Sequence, residues 1–334
     1  MQTNPVIIIS RTDSIGDVVL TLPLAGIIKQ QLPDSKIIFL GRNYTKDVIG
    51  LSVHVDEFMS YDEILKLSEK EQIETFKKLN ATHIIHVFPV KHIAQLAKKG
   101  GIKNRIGTTN RLWHWFTCNI KVSLSRKNSD LHEAQLNAKL LGPLNIKIDF
   151  SAKELAGFYG FTKVPELEEH YLKLIDHKKT NIILHPKSKG SAREWGLDNF
   201  SRLITELDKT RYAIYISGTQ QEGELVKELL QKHPEVVNLT GKLSLQQFIA
   251  FINNCDALIA ASTGPLHIAS ALGKKAIGLF APMRPIHPGR WKPIGTDAHY
   301  LVLDKDCNDC RKNMDCHCIR EIKTSEVIKL IEKK

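Results

Sequence analysis

The chain has 334 residues, enough for two domains of about 150 residues with a core each. Hydrophobic residues at 42% and charged residues at 25%, with no low-complexity tract, exclude a disordered chain. No apolar run approaches the roughly 18 residues of a membrane span, so a cytoplasmic protein is expected. The formal net charge of +11 favours partners bearing phosphates, nucleic acid or an anionic membrane face, without choosing among them.

Val6-Ile7-Ile8-Ile9-Ser10 predicts a buried strand. A polar loop follows, Arg11-Thr12-Asp13-Ser14-Ile15-Gly16-Asp17, and then a helix running on to Gln31. After the turn at Pro33-Asp34, residues 36–41 predict a second buried strand, which establishes a βαβ pattern. A polar helix is expected over 63–79, a strand over 83–88, a helix over 93–98, a strand at 105–107 and a helix over 131–144 ending at Gly142-Pro143. The periodicity then weakens, and the boundary between two domains, 1–160 and 161–334, is placed there.

The alternation restarts at Asn181-Ile182-Ile183-Leu184-His185 and runs into a basic loop, Pro186-Lys187-Ser188-Lys189-Gly190-Ser191-Ala192-Arg193-Glu194-Trp195. A helix over 198–207 capped by Asp198, a strand over 212–217, a helix over 222–232 and a strand over 236–239 are expected. A helix over 245–253, a strand over 257–261, a helix over 266–272 and a strand over 276–280 complete a second parallel sheet. In tandem folds of this type the last helix, near 326–331, can cross back to the first domain.

Ligands of open parallel sheets lie beyond the carboxyl ends of the strands, so the loops there are the candidates. Asp17 opens a helix and is either its cap or a group aimed at a ligand. Its loop has neither the dinucleotide fingerprint spacing nor a phosphate-loop lysine. Ser262-Thr263-Gly264-Pro265-Leu266-His267 forms a strand-to-helix junction whose free N–H groups suit an anion; Ser262 and Thr263 add hydroxyls and Gly264 permits close approach. Lys187, Lys189 and Arg193 make a second phosphate-friendly loop in the same domain, which fits a diphosphate. Glu222, at a helix start, is placed to accept from ribose hydroxyls.

These loops, in this order, resemble the ADP-heptose:lipopolysaccharide heptosyltransferases of glycosyltransferase family 9. The matching stretches are Arg11-Thr12-Asp13-Ser14-Ile15-Gly16-Asp17-Val18-Val19-Leu20-Thr21-Leu22-Pro23 and Ser262-Thr263-Gly264-Pro265-Leu266-His267-Ile268-Ala269-Ser270-Ala271-Leu272-Gly273, with Arg105-Ile106-Gly107, His132-Glu133, Ala192-Arg193-Glu194-Trp195 and Leu239-Thr240-Gly241-Lys242 between them. The resemblance implies a GT-B fold, two Rossmann-like domains facing each other across a cleft, with the acceptor on the first and the nucleotide sugar on the second. It implies transfer with inversion, without metal or cofactor, of heptose from ADP-heptose to a lipopolysaccharide core or related surface glycan, at the cytoplasmic face of the inner membrane. Asp17 matches the catalytic carboxylate, and Arg11, Ser14 and Gly16 of the same motif are expected at the acceptor. Arg193, Thr263, Gly264 and His267 match donor-binding residues, and Glu222 a carboxylate near the donor ribose.

One departure is Ser262, where the family commonly carries Asp. Another is Cys307-x2-Cys310-x5-Cys316-x-Cys318, four thiols sufficient in number for a structural zinc, although the last gap is unlike ordinary zinc ribbons. Trp113-His114-Trp115-Phe116, beside Arg111 and Lys121, reads either as core or as a surface touching a glycolipid or peripherally a membrane. The competing functions are a sugar-nucleotide epimerase of the same architecture and an inactive nucleotide-sugar or glycan-binding protein. Nucleic acid is not expected, because no recognition motif accompanies the basic residues.

Overall fold

The computed structural model describes residues 4–126, 129–283, 287–303, 307 and 317–333, which form two compact units, Met1–Lys163 and Val164–Lys334. Each unit is built on six parallel strands. In the first, β1 (Val6–Ser10), β2 (Lys36–Gly41), β3 (Glu57–Ser60), β4 (His83–His86), β5 (Asn104–Thr108) and β6 (Ile120–Val122) stand in the order β3-β2-β1-β4-β5-β6. In the second, β7 (Thr180–His185), β8 (Tyr212–Ile216), β9 (Val237–Asn238), β10 (Ala257–Ala261), β11 (Lys275–Phe280) and β12 (Ala298–Val302) stand in the order β12-β11-β10-β7-β8-β9.

The inner strands are the continuous apolar runs. Ile7, Ile8 and Ile9 of β1 are fully buried, as are Ile182, Ile183 and Leu184 of β7, because helices cover both faces of a parallel sheet. Ile8, Ile38, Ile84, Phe76 and Leu96 share one core of the first unit, and Ile182, Trp195, Phe200, Ile259 and Ile277 share one of the second. Strands β3, β6 and β12, which the sequence does not announce, lie at sheet edges and are only partly buried. An edge strand needs no long apolar run, so it leaves little periodic signal.

Several expected helices are divided. The one after β1 stops at Val19 and restarts at Pro23, which lacks the N–H needed inside a helix but fits its first turn. The helix expected over 63–79 becomes Tyr61–Ile64 and Glu69–Lys78, the second opened by a Ser68–Glu71 capping box. That expected over 131–144 is α-helical only over Glu133–Ala138 and continues as a 3-10 turn containing Pro143, and that over 222–232 breaks at Val226. The helix of Leu197–Glu206 is capped by Gly196, not Asp198, which sits in its first turn. The last helix, Thr324–Glu332, which fold analogy allowed to cross back, packs on Leu197–Glu206, β11 and β12 of its own unit with Val327 and Ile331 in the core. Lys275 Nζ donates to the carbonyls of Leu330 and Ile331 at the C-terminal end of that helix.

Candidate functional site

Strand order reverses beside β1 in the first unit and beside β7 in the second, and a doubly wound sheet opens a crevice at such a point. In the first unit β1 delivers Arg11, whose backbone N–H still bonds Leu40 O as the strand ends. The guanidinium is 3% exposed and lies among three carboxylates. Its Nε donates to Asp13 Oδ1 at 2.6 Å, Nη1 to Glu133 Oε1 at 3.1 Å, and Nη2 to both Asp13 Oδ2 and Asp17 Oδ1. Burial works against the charge of Arg11, but Asp17, Asp13 and Glu133 overcome it and raise its pKa. Burial pushes the Asp13 carboxyl up to about 6, with Arg11 opposing and Asp17 adding to the rise.

Asp17 is the third residue of the short helix Ile15–Val19. Ser14 caps that helix: its Oγ donates to Asp17 Oδ2 at 2.5 Å and accepts from Asp17 N at 3.4 Å. Asp17 therefore is a capping-turn residue, yet its side chain is 20% exposed and its two oxygens are oriented from opposite sides by Ser14 and Arg11. Gly16 lies buried beneath this turn. Behind it, Glu133 also accepts from Arg126 Nε at 3.0 Å, and Arg126 Nη2 reaches Asn137 Oδ1 at 3.0 Å. Asn137 Nδ2 bonds Leu20 O and Thr21 Oγ1, and Thr21 Oγ1 donates to Asp17 O at 2.8 Å. The carboxylate is thus held through its backbone as well as its side chain. Arg11, expected at an acceptor, has all three guanidinium nitrogens engaged in this network, whereas Ser14 stays exposed.

In the second unit the loops after β10, β7 and β8 follow neighbouring strands about 4.8 Å apart, so together they span about 10 Å, the scale of a nucleoside diphosphate. The loop after β7 is shaped by Glu194, which accepts from Ser188 N at 3.0 Å and from Lys187 Nζ at 2.5 Å. Lys187 is therefore paired within the loop. Lys189 is exposed at the turn, with φ 49°, whereas Arg193 is buried, two residues before Trp195, whose indole donates to Ile322 O at 2.9 Å. The loop after β8 is closed by a capping box in which Glu222 Oε2 accepts from Thr219 N at 2.7 Å and Thr219 Oγ1 at 3.0 Å. One oxygen of Glu222 thus serves its own helix.

After β10, Thr263 caps the helix Gly264–Ala271 by backbone alone. Its hydroxyl makes no side-chain cap bond, is buried, and has no hydrogen-bond partner among the described residues. A buried hydroxyl in that condition is costly unless something else fills the place. His267, one turn on, is 2% exposed, and Ser262 is half-buried beside Thr263.

The structure thus brings Asp17, Ser14, Gly16 and Arg11 together in the first unit, and Lys187, Lys189, Arg193, Glu222, Ser262, Thr263, Gly264 and His267 onto adjacent strand ends in the second. Four residues went unassigned in the sequence. Asp13 lies inside the first motif, and Glu133 follows His132 in a matched dipeptide. His185 ends β7, bonds Ser217 Oγ through Nδ1 at 3.0 Å, and is pushed down to about 4 by burial, against Glu222 and Glu194. Arg126 had no signal. Of the four-cysteine cluster, Cys310 and Cys316 lie outside the described residues, and among the described residues no group of three or more metal-ligating side chains is assembled.

Residues 96–318, about two thirds of the chain, match the sequence model of glycosyltransferase family 9 (heptosyltransferase). A putative glycosyltransferase of Haemophilus influenzae is 26% identical over 325 residues, covering 92% of each protein. A lipooligosaccharide heptosyltransferase 2 of Campylobacter jejuni is 25% identical over 169 residues, so that match spans about half of its length. Among solved structures, a glycosyltransferase family 9 protein of Veillonella parvula superposes with a TM-score of 0.76 at 19% identity, covering 98% of each chain. The Escherichia coli ADP-heptose lipopolysaccharide heptosyltransferase II does so with a TM-score of 0.74 at 14% identity, covering 98% of this chain and 97% of its own. The fold is accordingly the GT-B fold of these enzymes.

Proposed function

The chain belongs to glycosyltransferase family 9, and from that premise we propose that this glycosyltransferase moves heptose from ADP-heptose onto a lipopolysaccharide core or related surface glycan, with inversion and without a metal ion. The names of its relatives support the acceptor class, and a heptosyltransferase of the same fold has been solved with ADP. The observation that carries the donor assignment is the buried Thr263 hydroxyl, without a partner among the described residues, at the start of a helix whose N–H groups suit a phosphate.

In this reading Asp17 is the general base. As the acceptor hydroxyl oxygen attacks the anomeric carbon, its proton passes to an Asp17 oxygen, and the bond from that carbon to the diphosphate breaks on the opposite face with its electron pair leaving on phosphate. Arg11 and Ser14 hold the carboxylate in place and aimed, so Arg11 becomes a positioning residue, not an acceptor contact. Charge building on the diphosphate is met by the helix N-terminus at Thr263-Gly264 and by Arg193 and Lys189, fixed dipoles and cations that do a metal's electrostatic work. Lys187 and Glu194 shape that loop, and Glu222 presents its carboxylate toward the ribose side. Ser262, in place of the commoner Asp, offers a neutral hydroxyl and makes the donor sugar the point to test.

The test is equilibrium binding of ADP, UDP and GDP followed by transfer from the matching sugar nucleotides, with EDTA present, to purified lipid A core. ADP is expected to bind and heptose to move. Asp17→Asn should lower the transfer rate by at least about a hundredfold with donor affinity nearly unchanged. Failure of every nucleoside diphosphate to bind ends the transferase reading, and loss of donor binding in Asp17→Asn removes that residue from the acceptor side.

A further inference from the structure

Between Thr75 and Ser129 the sequence contains eleven Lys and Arg and no Asp or Glu. Those eleven equal the formal excess of +11 for the whole chain, so the rest of the protein is balanced and its charge resides in the outer half of one sheet unit. This segment also holds the two most exposed large apolar side chains among the described residues, Leu112 at 75% and Phe116 at 71%, with Trp115 at 56%. All three belong to the connection between β5 and β6, which contains the single-turn helix His114–Thr117.

The aromatic cluster there divides cleanly. His114 faces inward, its Nδ1 receiving Thr108 N at 3.0 Å, which fixes the turn to the sheet. Trp115 and Phe116 face outward. Trp115 is pinned by its indole N–H on Thr109 O at 3.1 Å with Lys121 Nζ 5.3 Å from its ring centroid, and Lys98 Nζ donates to Phe116 O at 2.9 Å. Arg111 lies over Trp113 at 5.7 Å. An apolar tip is therefore flanked by cations, with no carboxylate in its own stretch of chain to neutralise them.

We propose that this tip, Leu112, Trp115 and Phe116 with Arg111, Lys121 and Lys98, docks the protein on a bilayer containing acidic phospholipid. The apolar side chains enter the boundary between headgroups and acyl chains while the cations stay with the phosphates. Trp at that depth and Lys reaching outward from an apolar stem both suit the interface. The attraction has two parts, apolar insertion and charge, and each is removable separately. The surface shares no residue with the Asp17 cluster or with the loops proposed for the donor, and does not depend on the identity of the sugar transferred.

The experiment is co-sedimentation of the full chain with sucrose-loaded vesicles of phosphatidylglycerol and phosphatidylethanolamine, against vesicles of phosphatidylcholine alone. The protein is expected to pellet with the first and not the second, and to detach as salt rises. L112S/F116S, which keeps Trp115 and its hydrogen bond, should weaken vesicle affinity about tenfold or more, with melting temperature and nucleoside diphosphate binding unchanged. K98E/R111E/K121E should abolish the preference for phosphatidylglycerol. The proposal is overturned if the wild type stays in the supernatant with the acidic vesicles, or if L112S/F116S binds them as well as wild type, which would leave adsorption by charge alone. It is equally overturned if light scattering shows a wild-type dimer that L112S/F116S dissociates without any vesicle binding, because the tip would then cover a second copy.

Discussion

Arg11 illustrates how little of a residue's role resides in its own position. One guanidinium serves Asp13, Asp17 and Glu133, the last 122 residues away in sequence. The same crowding gives Asp13 a folded-state pKa of about 6 against 3.8 for the free side chain. With the folded value raised, the native state binds the extra proton between those pH values, so the contribution of Asp13 to stability is fully present below about pH 4 and is lost as pH rises through about 6. Asp13→Asn lacks that loss. The stability of wild type relative to Asp13→Asn should therefore fall by on the order of 2–3 kcal/mol between pH 4 and pH 7, measured by urea unfolding at each pH. A difference that is flat with pH would show that Asp13 ionises normally.

Among the elements, the loop after β8 shows how a turn of the proposed donor site is braced. Gly241 N donates to Gly218 O at 2.9 Å, and Gly241 adopts φ +70° with its backbone against the start of the helix Gln220–Leu225; a Cβ there would lie 2.9 Å from Gln220 Cα. Gly241→Ala should therefore cost about 2 kcal/mol from the left-handed conformation and the displaced turn together, and should weaken nucleotide binding by shifting Thr219 and Glu222. Chemical denaturation and nucleotide titration of the variant measure both effects; unchanged nucleotide affinity would detach this turn from the donor site. The need for glycine in Leu239-Thr240-Gly241-Lys242 was visible as a motif, but its reason, the proximity of Gln220, was not. The split helices follow a similar logic. Pro23 is a local signal for the break that the reading of one helix on to Gln31 passed over, whereas Val226 carries no local signal and lies in the core.

At the scale of the whole molecule, the loops proposed for the donor all belong to Val164–Lys334, and Asp17 belongs to Met1–Lys163. ADP bound at the proposed site should therefore slow amide exchange around 187–193, 218–220 and 262–265 and leave the amides of 14–17 little changed. At a hundredfold excess over its Kd it should stabilise the protein by about 2.7 kcal/mol against unfolding. Hydrogen-exchange mass spectrometry with and without ADP reads this directly, and protection confined to 14–17 would place the nucleotide in the wrong unit. No helix among the described residues is long and apolar enough to cross a membrane, and the bilayer contact proposed above is the Leu112–Phe116 tip.

What the amino-acid sequence determined by itself were the features written in local periodicity and local chemistry. The runs at Ile7–Ile9 and Ile182–Leu184 demand a parallel sheet covered on both faces, and the motifs around Asp17 and Thr263-Gly264 mark the strand ends where ligands of such sheets lie. Only the tertiary structure decided which side chains are already engaged. Arg11 and Lys187 are cations with their charges met inside the protein, Glu133 and Arg126 are the distant partners that hold the first cluster, and Thr263 carries a buried hydroxyl with no partner among the described residues. The physical reason is that a hydrogen bond or ion pair depends on distance in space, which helix packing sets between residues more than a hundred positions apart, while periodicity records only which face of an element is buried.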